Sequence, residues 1–121
     1  MTTPHTAAGD QDIREYIAAN WTHIALVDDA GAEETRIDIA ADERASFVSG
    51  AGDNPLTIEV EVQGSDADIS VPTTLVRSEL FKVEAGGDEL SGDDFDEGSA
   101  EITDEADTLR VTHNIEQPVI E

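Results

Sequence analysis

The stretch "LTIEVEVQ", residues 56 to 63, alternates apolar and polar side chains without a break. A period of two fits a β-strand, whose successive side chains point to opposite faces, and fits no helix. Leu56, Ile58, Val60 and Val62 are therefore expected to face a core, with Thr57, Glu59 and Glu61 in water. A strand with one wet face belongs to an antiparallel sheet, and its dry face must be buried against a second layer.

Other segments repeat the pattern. "DTLRVTHNIEQ" puts Leu109, Val111, His113 and Ile115 on one face. From Trp21 to Val27 both alternating sets are largely apolar, Thr22, Ile24 and Leu26 against Trp21, His23, Ala25 and Val27, so this strand is expected to be covered on both sides. "TRIDI", "ASFVS", "ADISV" and "TLVRSELFKVEA" complete the series. "DDAGAEE" and "GAGDNP" carry the Asp, Asn, Gly and Pro of turns, which makes residues 50 to 55 a loop. "GGDELSGDDFDEGS" reads as an acidic, Gly-rich connection with room for a short hairpin arm. Six or seven short strands between such breaks predict a mainly β protein, an antiparallel β-sandwich spanning residues 21 to 121.

One helix precedes it. "DQDIREYIAAN", residues 10 to 20, brings Ile13, Tyr16 and Ile17 together at i, i+3 and i+4, with Asp10 as the expected N-cap and Asn20 at the end. Three turns with so narrow an apolar stripe are marginal alone and need something to pack on, either the domain or a neighbouring subunit. Ile13, Tyr16, Ile17 and Trp21 are thus the expected assembly interface. Residues 1 to 9 have neither the basic start nor the apolar centre of a secretory signal and read as a flexible or partner-ordered arm.

Charge narrows the function. The 121 residues, enough for one domain, hold 29 acidic side chains against 6 basic ones, a formal charge of -23, and the single lysine is Lys82. Phosphate recognition needs clustered Lys and Arg, so nucleic acid and anionic membranes are not expected partners. Self-repulsion of this size must be screened, and molar salt shortens the Debye length to about 3 Å. The composition fits a halophile, with weak non-specific association of cations. No apolar run approaches the roughly 20 residues that span a bilayer, and the absence of cysteine excludes disulfides and thiolate metal sites.

The usual chemistry finds little purchase. His5, His23 and His113 are scattered; the last two alternate with apolar residues and read as packed strand residues. No "GxSxG" elbow is present, and "SGAG" and "AGGDEL" lack the Lys-Ser or Lys-Thr of a phosphate loop. "GDDFDEG", residues 92 to 98, has the look of a calcium loop, but counting from Asp93 puts Phe95 at the third position and Asp104 at the twelfth. A solvated acidic face is the expectation there, and no catalytic, cofactor or metal residue is assigned.

The order of motifs resembles a family of small tail-fibre or tail-collar-like virion proteins of tailed viruses. The resemblance rests on Trp21-Thr22-His23-Ile24-Ala25-Leu26, Glu43-Arg44, the strand "LTIEVEVQ", Glu79-Leu80-Phe81 with Gly86-Gly87, and Asp107-Thr108-Leu109-Arg110-Val111 with Ile115. It covers residues 21 to 116, and departs from the family's Gly-Leu-Phe in having Glu79 before Leu80. It implies an oligomeric β-sandwich without catalytic residues. Joined to the charge, it implies a virion protein of a haloarchaeal tailed virus, on the tail or fibre or as a capsid turret or decoration, contacting itself and other virion proteins and assembled in a high-salt host cytoplasm. The other expectation is a cellular ligand- or carbohydrate-binding β-sandwich module of a haloarchaeon, against which stand one Trp, one Tyr and three Phe, few rings on which to stack sugars.

Overall fold

A computed structural model describes residues 7–48, 56–95 and 99–115. Helix α1 (Ala7–Asn20) leads into eight strands: β1 (His23–Asp28), β2 (Glu33–Asp38), β3 (Ala45–Phe47), β4 (Leu56–Gln63), β5 (Thr73–Phe81), β6 (Ser91–Asp94), β7 (Ala100–Ile102) and β8 (Thr108–Ile115). The first sheet runs β2-β1-β5-β6, with β7 also on β5; the second runs β3-β4-β8. All pairings are antiparallel. The protein is mainly β, two antiparallel sheets sharing one core.

The core follows the alternation in the sequence. Leu56, Ile58, Val60 and Val62 are wholly buried, and their strand lies in register with β8 from Leu56↔Ile115 to Gln63↔Thr108. Val111, His113 and Ile115 point the same way and are buried, with Leu109 partly so. Opposite them stand Ile24, Leu26, Ile37, Leu75, Leu80 and Ile102. Ala25 and Val27, on the other face of β1, are buried too, as expected of a strand covered on both sides.

Three features differ from the sequence reading. The helix begins at Ala7, not Asp10, so Asp10 lies within it rather than capping it; residues 1 to 6 of the expected arm lie outside the described residues. "ADISV" is not a strand: residues 64 to 72 form turns and bends, with the Ile69 N–H bonded to the Asp66 carbonyl. β7 was not expected, and the acidic connection contributes β6 as a hairpin partner of β5. The expected loop at 50 to 55 lies outside the described residues.

The inward face of α1 also differs. Arg14 and Ile17 are buried and Ala18 and Trp21 pack on the core, which is an i, i+3, i+4, i+7 stripe. The expected stripe of Ile13, Tyr16 and Ile17 is turned, leaving Ile13 36% and Tyr16 52% exposed. Trp21 belongs to the last helical turn, its N–H bonded to the Ile17 carbonyl at 2.8 Å, and β1 starts two residues later.

Candidate functional site

The four residues assigned to assembly divide into two pairs. Ile17 and Trp21 pack against the core of their own chain, whereas Ile13 and Tyr16 face outward. Tyr16 is held in place: Lys82 Nζ donates to its hydroxyl at 2.8 Å and lies 5.1 Å from the ring centroid. Asn20 Nδ2 donates to the Tyr16 carbonyl at 2.8 Å, closing the helix end. A shallow groove beside this end is lined by Ala18, Ala19, Thr22, Ile39, Ala40, Ser46 and Phe47.

Cations elsewhere act as ties. Arg44 follows the turn after β2 and reaches three aspartates: Asp42 at 2.7 Å, Asp66 at 3.1 Å and Asp68 at 2.8 Å. Thr35 donates to Asp68 and the Ser70 N–H donates to Glu34, so the loop at 64 to 72 is fastened to β2. That is why "ADISV" leaves the sheets: its one acid, Asp68, serves a guanidinium, while Ile69 fills the core. Hydrogen bonds from Arg44 hold the Asp68 carboxyl down at about 2 and lower that of Asp42 as well.

Arg44→Ala would leave three carboxylates facing one another. The expected loss is about 2 kcal/mol, or roughly 5–10 °C in Tm, growing as salt is removed. The pH dependence follows from the lowered Asp68: its contribution is present above the ordinary value of 3.8 and lost as pH falls through about 2. Denaturation between pH 5 and 2 should therefore show less acid destabilisation in the variant. Equal midpoints in Arg44→Ala and the parent would sink the assignment.

A second network covers the outer face of the first sheet. Arg36 lies 3.6 Å from the Phe81 ring centroid, bonds Glu33 and donates to the Val83 and Gly86 carbonyls at 3.0 and 2.8 Å. Arg77 joins Glu79, Glu89 and Asp94. Since Ala25 aligns with Arg36 and Glu79, and Val27 with Glu33 and Arg77, these long side chains are what bury the second face of β1. A Cβ at Gly92 would meet the ends of the Arg77 and Glu89 side chains, which would have to shift to make room for it. Burial, and a hydrogen bond with Glu89, raise the Glu79 carboxyl.

His23 and His113 are strand residues, as expected, and His5 lies outside the described residues. His23 is partly exposed, bonded through Nδ1 to the Thr22 hydroxyl at 2.8 Å, with Asp38 3.8 Å from Nε2. His113 is fully buried, with Nδ1 2.6 Å from Ser78 Oγ and Nε2 2.9 Å from Ser91 Oγ. A serine beside a histidine is the geometry of a nucleophile and base. Here neither Ser78 nor His113 has exposed surface, whereas Ser91 is partly exposed. No cue in the sequence linked His113 to either serine.

In the region read against a calcium loop, Asp94 pairs with Arg77 and Asp93 accepts the Asn114 N–H at 3.0 Å; residues 96 to 98 lie outside the described residues. Among the described residues no group of three or more His, Asp or Glu is placed to hold a metal ion, and no helix is long and apolar enough to cross a membrane. Comparison of the chain with protein-family models, with curated proteins and with solved structures found no match.

Proposed function

We propose that this chain is a non-enzymatic structural subunit of the virion of a halophilic tailed virus, an oligomeric part of its tail or fibre or of a capsid turret or decoration. The observation that carries the reading is the division within α1. The helix uses Ile17, Ala18 and Trp21 to cap its own core and leaves Ile13 and Tyr16 outward, with Tyr16 held by Lys82. An ordered apolar pair on the surface of a strongly acidic chain suits contact with a neighbouring copy in a cyclic assembly. The rest of the chemistry is tied up internally: Arg36, Arg44, Arg77 and Arg110 are all in ion pairs with their own chain.

A carbohydrate-binding module has less support. Among the described residues Tyr16 is the sole ring in the exposed large apolar set, and stacking a sugar on it would compete with Lys82.

Light scattering at molar salt tests the assembly. Removing residues 1 to 20 would also remove Ile17 from the core, so Ile13→Glu with Tyr16→Glu is the cleaner change. The parent protein should be an oligomer and the double variant a monomer with unchanged circular dichroism. A monomeric parent at high concentration would leave the binding module as the better reading. Mass spectrometry of purified particles tests the virion assignment directly, and absence of the chain from them would overturn it.

A further inference from the structure

The least expected group in this core is a titratable one. His113 stands on β8 of the second sheet, and its ring reaches across to β5 through Ser78 and to β6 through Ser91. Both ring nitrogens are engaged, and Ser78 and His113 are fully buried. Serine hydroxyls can donate or accept, so a neutral imidazole satisfies both contacts in either tautomer.

One residue further along β8, the Asn114 N–H donates to Asp93 on β6. This bond can form because alternate residues of β8 turn their backbone groups away from β4. Glu61 N–H goes to Arg44 and the Thr57 carbonyl to Val48, so Thr57, Glu59 and Glu61 bond toward β3, and their opposite numbers Asn114, Thr112 and Arg110 face the free edge. Among the described residues no ladder joins β6 to β8, and His113 with Ser91 and Asp93 with Asn114 link them instead.

We propose that His113 is a pH-sensitive latch between the sheets: as a neutral imidazole it ties β8 to β5 and β6, and its protonation releases β6 from β8. Two hydrogen bonds survive protonation, since both serine oxygens can accept, but a cation is then confined between two apolar layers. Opening the β6 edge is the shortest way to bring water to it. Burial lowers the basicity of the ring. Of the charges around it, Asp93 on β6 and Glu89 before β6 favour the cation, and Arg77 on β5 opposes it. On β4 its register partner is Ile58, one of the buried row Leu56, Ile58, Val60 and Val62, and β8 itself carries no acid.

The sign follows from linkage. An opened edge takes up a proton at the ordinary histidine value of 6.5 and the closed edge only at lower pH, so acidification through this window favours opening.

Histidine NMR and amide hydrogen exchange on the full-length protein at fixed molar salt test the latch. The His113 ring should titrate below 6.5. Through that midpoint, after correction for intrinsic exchange, Asn114 amide protection should fall about tenfold or more while Ile24 and Leu80 stay protected. In His113→Gln, which keeps a donor and an acceptor, the fall should vanish. The latch is overturned if His113 titrates at or above 6.5, if it titrates with Asn114 protection unchanged, or if it stays neutral until the whole fold is lost. A folded Gln variant that still loosens would assign the effect to Asp93 instead. Should that variant not fold, the parent titration alone decides.

Discussion

Val60→Asp should abolish the fold at any salt concentration. Val60 is fully buried at the centre of β4, aligned with Ala45 on one side and Val111 on the other. The six cations of the chain are elsewhere, so the new carboxylate would have no partner and no water. Burying such a group costs several kcal/mol, comparable with the whole stability of a domain this size, about 5–15 kcal/mol. The neighbouring outward position supplies the control. Glu59→Gln, one residue away on the wet face, should shift stability by about 0.5 kcal/mol or less. Cooperative unfolding of Val60→Asp near the parent midpoint would mean that the inward face of β4 is misassigned.

Salt should have the second largest effect. Two electrostatic contributions grow as salt is withdrawn, attraction within the arginine networks and repulsion among the acids. Six basic residues can offset at most six of 29 acids, which leaves 23 negative charges, so repulsion wins. The structure concentrates the attraction further, because Arg44 alone is shared by three aspartates and Arg77 by three carboxylates. Lys82 donates to the Tyr16 hydroxyl. Between molar salt and about 0.1 M the Debye length grows from roughly 3 to 10 Å, so charges on neighbouring strands begin to act on one another. A fall of about 10 °C or more in Tm is expected over that range. A level Tm from calorimetry would show that the acidic surface is not what ties stability to salt.

The two sheets and their inward faces were legible in the sequence wherever a strand was long and regular. β4 and β8 alternate over eight residues each, and burial of one face allows only one phase, since a slip by one residue would expose the whole apolar set. β6 and β7 were not legible in the same way. "SGDD" and "AEI" are too short and polar to signal a strand, and they form because the nine-residue β5 offers an edge along which both pair, β7 at residues 73 to 75 and β6 at 77 to 80. "ADISV" misled for the opposite reason: it alternates, but none of the described strands pairs with it, and Arg44 and Thr35 hold Asp68 instead.

The sequence by itself determined a mainly β chain, an acidic exterior and a helix before the first strand, because these depend on composition and on side-chain period alone. The tertiary structure decided which side of that helix turns inward, since Ile13, Tyr16 and Ile17 against Arg14, Ile17, Ala18 and Trp21 is a choice between overlapping stripes that only the shape of the core can settle. It likewise decided the company of His113. Ser78 and Ser91 lie 35 and 22 residues away along the chain, and a contact across two packed sheets depends on how the layers face each other, which no local pattern of residues records.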